Sequence, residues 1–241
     1  MDRPIIPALM TLRRLRRMLR HSGWLLATSI AWAQPLPPDN MDARVQPCAA
    51  CHGESGRVAT DEDYFPSIAG KPAGYLYEQM INFRHGRRQH DIMQAMFAVL
   101  SEGYLNEIAV YYAAQTPKLH SPTRLSEPDA GEIEMLIRHG DATRNLPACT
   151  ACHGDDLIGA KPTIPGLLGL RSEYLAAQLG AWREGTRRAA APDCMHSVAI
   201  RLSPAEIDRV SRWLASQPYP RNAKPLPRLP DPLPLPCGAS R

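Results

Sequence analysis

Two five-residue runs carry the chemistry of this sequence: Cys48-Ala49-Ala50-Cys51-His52 and Cys149-Thr150-Ala151-Cys152-His153. Cys-x-x-Cys-His is the attachment signature of a c-type haem. Two thiols at this spacing on a helix start reach the two vinyl groups of one porphyrin. The adjacent histidine then sits over the ring centre, where its imidazole can bind iron. Two other readings use the same residue types. Structural zinc needs further Cys or His at ligand spacing in each half, and a thioredoxin-like pair needs a βαβ setting. Neither accompanies these runs, and His follows the second Cys both times.

The sixth iron ligand decides what such a haem does. A methionine thioether opposite histidine raises the reduction potential and leaves no open position, which suits electron transfer. Met93 and Met195 hold matching places, each seven residues before the Leu of a Leu-Ser pair, Leu100-Ser101 and Leu202-Ser203. No other Met follows the second Cys pair, because Met135 lies before it. In the first half Met80 shares an apolar helical face with Leu76 and Phe83, and Met96 matches Val198, so packing accounts for both. The expected sets are therefore Cys48, Cys51, His52 and Met93 for one haem, and Cys149, Cys152, His153 and Met195 for the other. His85, His90, Cys194 and His196 stand as rival ligands, and a Cys194 thiolate would lower the potential sharply.

The elements that must position these groups occur twice. Beyond the Cys runs, Pro66 and Gly70 match Pro165 and Gly169, and Tyr75-Leu76 and Gln79 match Tyr174-Leu175 and Gln178. Arg84 and Gly86 match Arg183 and Gly185, and Gln115 matches Gln217, all in order and nearly in spacing. Such self-similarity marks an internal duplication. Each copy reads as helical. Leu76, Met80 and Phe83 share one face, and Leu105, Ile108, Ala109 and Tyr112 share another; Leu175, Leu179 and Trp182, and Ile207, Val210 and Leu214, repeat the two patterns. Ser203-Pro204-Ala205-Glu206 is a capping box with proline at the first helical position, and Ser101 is the same cap without the glutamate. A helix from about Ala130 to Arg138 precedes the second Cys pair, and its counterpart before Cys48 reads as shorter. The predicted organisation is a first domain over 39–118, a linker over 116–128, a second domain over 128–218 and a proline-rich tail over 219–241. That tail forms neither helix nor ladder and is expected to be extended and mobile, with Cys194 the one partner on offer to Cys237.

Residues 1–33 have the three parts of a secretory signal: a basic stretch around Arg13-Arg14-Leu15-Arg16-Arg17, an apolar run from Trp24 to Ile30, and the small-x-small site Ala31-Trp32-Ala33. The apolar run is shorter than the roughly 20 residues that span a bilayer. Export to the periplasm follows, with free diffusion or peripheral attachment to the membrane as the two settings. Taking the six Arg and one Asp of this segment from the 28 basic and 24 acidic residues leaves 22 and 23. The remainder therefore has no overall charge for binding nucleic acid.

Taken together, Cys-x-x-Cys-His-Gly, Pro-x-x-x-Gly, Tyr-Leu-x-x-Gln, Arg-x-Gly, and Met before Leu-Ser and a final helix resemble the dihaem cytochrome c4 group of class I bacterial cytochromes c. The resemblance runs twice over residues 42–217. It implies an all-α fold of two tandem class I cytochrome c domains packed as a pseudo-symmetric pair, with two covalently attached haem c groups exchanging electrons. It also implies that the carbonyls of Pro66 and Pro165 accept hydrogen bonds from His52 and His153. The function expected is non-enzymatic: single electrons pass from a quinol-oxidising complex or a dehydrogenase to a terminal oxidase. The alternatives are a dihaem oxidoreductase of the peroxidase or thiosulfate dehydrogenase type, and the electron-accepting subunit of a dehydrogenase complex.

Overall fold

The computed structural model describes residues 39–57, 65–117, 119–122, 130–221, 223–228 and 232–238. The expected signal segment 1–33 lies outside them. In the first half the helices are α1 (Met41–His52), α2 (Ala73–Arg84), α3 (Asp91–Ala98) and α4 (Glu102–Ala113). The second half holds α5 (Ala130–His139), α6 (Thr150–His153), α7 (Ser172–Glu184), α8 (Cys194–Ala199) and α9 (Pro204–Ser216). Among the described residues β pairing is confined to isolated bridges, so the fold is all-α.

The ends of these helices are fixed by side chains at the expected places. Ser203 Oγ accepts from the Glu206 N–H while the Glu206 carboxylate accepts from the Ser203 N–H at 2.7 Å, and Pro204 fills the first turn. Ser101 Oγ accepts from the Tyr104 N–H at 3.2 Å. Each such bond satisfies a backbone donor that the helix itself leaves free.

Both halves assemble in the same way. The helix after the Cys run packs on the Met-bearing helix and on the last helix of its half: α2 on α3 and α4, α7 on α8 and α9. The last helix also packs on the first, α4 on α1 and α9 on α5. Leu76, Met80, Phe83, Leu105, Ile108 and Tyr112 build one core, while Ile133, Ile137, Leu175, Val210, Trp213 and Leu214 build another. Burial of these apolar faces drives the packing at roughly 25 cal/mol per Å². The two halves differ at their start. α1 runs unbroken through Cys48 and Cys51 to His52 with Pro47 inside it, although Pro47 has no N–H for the Ala43 carbonyl. By contrast α5 stops at His139, and a loop with a short 3-10 turn, Ala142–Arg144, leads to α6.

The tail departs from the mobile segment expected. Leu226 donates to the Gly159 carbonyl and accepts from the Lys161 N–H, both at 2.9 Å, and Gly238 donates to the Pro192 carbonyl at 2.8 Å. Cys237 is disulfide-bonded to Cys194. Proline spacing denies the tail a helix or ladder of its own, but the N–H groups between prolines remain free to bond elsewhere. They bond to the second half.

Candidate haem sites

In the second half Cys149, Cys152, His153 and Met195 line one and the same cleft. Its remaining walls are mostly apolar, with Leu136, Ile137, Leu146, Leu175, Leu179, Val198 and Leu214 among them. His153 is 8% exposed, and its Nδ1 lies 2.8 Å from the Pro165 carbonyl. A carbonyl only accepts, so Nδ1 carries the hydrogen and Nε2 keeps its lone pair for a metal. His52, also 8% exposed, makes the same bond to the Pro66 carbonyl at 2.9 Å. Burial holds both imidazoles below the ordinary histidine range against the pull of those carbonyls, which keeps them in the neutral, ligating form.

The cysteines have the character of attachment points rather than of a redox pair. Burial, with Cys152 nearby, pushes the Cys149 thiol up to about 11, and burial raises Cys48 and Cys152 too. Reactive Cys-x-x-Cys thiols are shifted the other way. Among the described residues no group of three or more His, Cys, Asp or Glu converges as a metal cluster of the zinc kind.

The rival ligands are less well placed. Cys194 is tied up in its disulfide and has no thiolate to offer. His196 holds its Nδ1 2.8 Å from the Trp182 carbonyl, as His153 does to Pro165, but unlike Met195 it is not among the residues lining the cleft. His85 is exposed and bonded to Arg87, and His90 is exposed at the start of α3. Met80 is buried in the first core, whereas Met93 and Met96 are only partly buried against it. The repeated Arg of the Arg-x-Gly motif has a clear task. Arg84 donates to the carbonyls of Phe97 and Leu100 at the end of α3, and Arg183 donates to those of Ile200 and Leu202 after α8. Each guanidinium thus closes the open carbonyls of the Met-bearing helix and pins it to the preceding one.

Between the halves lies a feature that sequence reading passed over. Arg88 and Arg187 occupy equivalent repeat positions and meet in an antiparallel bridge. Arg88 donates to Gln79 at 3.1 Å and across to Gln178 at 2.9 Å; Arg187 donates to Gln178 at 2.6 Å and across to Gln79 at 2.9 Å. Arg187 is only 4% exposed and stacks on Trp182 at 3.7 Å. Burial pushes its pKa down and Arg88 adds to the effect. Burial opposes ionisation of Tyr174, yet the charges of Arg88, Arg187 and Lys71 overcome it and lower its pKa. Among the described residues no carboxylate bonds either guanidinium. Lys71, Tyr75, Gln79, Tyr174, Gln178 and Arg187 line the cleft, and the one carboxylate in that lining, Asp193, is bonded to the backbone N–H groups of Ala189 and His196. A buried cation wants an anion. The propionate edge of a haem is the anion that fits, and Arg187 and Lys71 are the residues that would hold it. The signal for finding Arg88 and Arg187 was the repeat register itself.

No protein-family profile matches the chain. The thiosulfate dehydrogenase electron acceptor of Thiomonas intermedia is 33% identical over 79% of this chain and 87% of its own length. Cytochrome c4 of Pseudomonas aeruginosa is 33% identical over 71% of this chain and 84% of its own. Among solved structures, reduced cytochrome c4 from Pseudomonas stutzeri aligns with a TM-score of 0.62 at 30% identity, covering 73% of this chain and 98% of that one. The thiosulfate dehydrogenase of Marichromatium purpuratum gives the same TM-score, 0.62, at 33% identity, over 71% of this chain but only 36% of that one. With two haem c groups held covalently at Cys48/Cys51 and Cys149/Cys152, the molecule is a dihaem c-type cytochrome that transfers electrons. The chain belongs to the cytochrome c4 family. No described helix is long and apolar enough to cross a membrane.

Proposed function

We propose that this chain is a periplasmic one-electron carrier, without an enzymatic reaction of its own, in which His52 with Met93 and His153 with Met195 would hold the two irons. The observation that carries the reading is the shared cleft of His153 and Met195, with the His153 Nδ1 committed to Pro165. The haem supplies a one-electron couple. The protein's part is to fix each imidazole through a backbone carbonyl, to hold the methionine helices through Arg84 and Arg183, and to surround the ring with apolar walls. His52 with Met93, and His153 with Met195, would leave an iron no open position for a substrate, so the group would supply electron transfer alone. The donor is a quinol-oxidising complex or a dehydrogenase, and the acceptor is a terminal oxidase.

Absorption spectra with a pyridine haemochrome assay and intact mass test this. Two haems per chain, a full methionine-to-ferric-iron charge-transfer band and no carbon monoxide binding are expected. A band absent or halved in the wild-type protein would refute the ligand assignment at one or both sites. A more specific reading of the donor rests on the relatives whose names tie them to thiosulfate oxidation. In that reading the chain accepts electrons from a thiosulfate dehydrogenase. Stopped-flow mixing with such an enzyme and thiosulfate should reduce both haems within its turnover time, and reduction slower than turnover would remove it.

A further inference from the structure

The two halves match in fold but differ at the face beside the Met-bearing helix. In the first half Ile92, just before Met93, is 62% exposed, and Val99 at the end of the same helix is 86% exposed. The residue in the place of Ile92 in the second half is Cys194, and its sulfur is bonded to Cys237 of the tail. The tail is anchored at both sides of the cleft. On the histidine side Leu226 pairs with Gly159 and Lys161, and it packs so close to Gly154 that a Cβ there would lie 3.2 Å from its side chain. On the methionine side Gly238 bonds Pro192, next to the disulfide. Between these anchors Leu235 enters the wall of the cleft, as does Cys237. Prolines at 227, 232, 234 and 236 restrict the backbone of the described part of the span, so ordering it costs less entropy than for an ordinary strap.

We propose that the Cys194–Cys237 disulfide is a redox-releasable latch that holds the tail over the edge of the second haem cleft and leaves the first without a counterpart. A dithiol would open it. One thiolate of the dithiol attacks Cys194 or Cys237 sulfur, the protein S–S bond breaks, and the second thiol of the reagent resolves the mixed disulfide. Two electrons and two protons pass from the dithiol, which leaves as a disulfide, to two protein thiols. Latched, the second haem is shielded from small ligands and from partners. Unlatched, the tail swings from its methionine-side anchor and the helix carrying Met195 loses a tether at its first residue. This last consequence rests on Met195 being the iron ligand; the cover itself does not.

The test uses ferric holoprotein in three forms: wild type, the Cys194→Ser/Cys237→Ser double variant, and wild type reduced with dithiothreitol, alkylated and reoxidised with ferricyanide. Each is titrated with imidazole by absorbance and digested briefly with trypsin, read by mass spectrometry at Arg228. In both unlatched forms we expect apparent imidazole affinity at one haem to rise about tenfold or more, because the open fraction scales it. The other haem serves as an internal control and stays unchanged, and cleavage at Arg228 accelerates. Equal imidazole affinity in all three forms overturns the cover, and two alkylatable thiols in unreduced, denatured wild type overturn the latch. A wild-type spectrum without the methionine band overturns the ligand reading instead, and leaves the cleavage result to judge the cover. If the double variant fails to bind haem, the alkylated wild type decides.

Discussion

Replacing Arg187 with methionine separates a cationic interface that waits for an anion from one that stands alone. The substitution keeps an apolar stem of similar length against Trp182 and removes only the charge and its donors. Three hydrogen bonds are lost, to Gln178 at 2.6 Å, to Gln79 at 2.9 Å and a long one to the Tyr75 hydroxyl at 3.5 Å. Bonds to charged groups contribute about 1.5–3 kcal/mol each, so the two short ones alone put the gross loss at roughly 3–6 kcal/mol. Neither glutamine oxygen is orphaned, since Arg88 still donates to both. Against this loss stands the relief of a buried cation pressed against a second one. With no anion present that relief, also several kcal/mol, would cancel the lost bonds and leave the variant about as stable as wild type. With haem propionates in place the cation is already paired, and breaking such a pair costs about 3–5 kcal/mol. Denaturant unfolding of the holoprotein, followed at the Soret band and by far-ultraviolet circular dichroism, measures the difference. We expect the larger loss, together with a lower potential at the second haem, because a nearby cation disfavours the ferric charge. A variant as stable as wild type or more so would refute the assignment of this cluster to an anionic haem edge.

Other consequences follow from single residues. Glu206→Gln keeps the capping geometry but loses the fork from Arg144, whose side-chain bond is the main reason Glu206 sits at about 2 instead of its ordinary 4.5. Because the depressed carboxylate stabilises the fold above 4.5 and loses that effect as pH falls towards 2, the variant should be about 0.5–1 kcal/mol less stable at pH 7 after solvent screening. Its difference from wild type should shrink through that window in thermal melts at stepped pH. Arg84→Ala should weaken the methionine charge-transfer band at the first haem while helix content is kept, with Arg84→Lys restoring part of it; an unchanged band would show that α3 needs no such pin. The Cys194→Ser/Cys237→Ser variant opens a crosslink of sequence separation 43, for which the chain-entropy relation gives up to about 4 kcal/mol at 25 °C. Denaturant midpoints of the oxidised proteins check this, and equal midpoints would mean that the unfolded chain gains nothing from release.

What could be read in the sequence was what the duplication wrote twice. The Cys runs, the capping serines, the apolar faces and the Arg-x-Gly residues recur at matched places, and the capping serines and apolar faces are legible as helix starts and helix faces from the pattern itself. The capping box at Ser203 is a local rule of three residues, so it needs no tertiary knowledge. Arg88 and Arg187 also recur, yet a buried arginine looks like a surface one until its neighbours are known. Their meaning comes from Gln79 and Gln178 reaching across between the halves. The tail misled for a different reason. Proline spacing does exclude helix and ladder, but it does not predict where the lone N–H of Leu226 will bond; Cys237, by contrast, pairs with Cys194, the one partner on offer in the sequence.

Duplication by itself yields two equal sites, and an electron moving between equal sites has no preferred direction. Direction requires that the copies diverge where they meet solvent or partners, while the machinery that holds the haem stays matched. The distances follow that division. The histidine-to-carbonyl bonds differ by only 0.1 Å between the halves, at 2.9 and 2.8 Å, and the arginine pins repeat on both Met-bearing helices. At the position before the methionine the copies part: an exposed isoleucine in one, a crosslinked cysteine in the other. A partner that needs an apolar face beside the haem finds Ile92 and Val99 on the first half, and the corresponding face of the second half carries the tail. If the latch governs access, the half that exchanges electrons with outside proteins is the first, and the second is reached through the interface that Arg88 and Arg187 join. Substituting Ile92 and Val99 with aspartate should then slow reduction by a physiological donor about tenfold or more at unchanged potentials, as loss of an interface anchor would. Substituting exposed Arg212 in the same way should leave the rate alone. Equal rates for the first-half variant and wild type would place the entry point elsewhere and detach the divergence at Cys194 from the direction of flow.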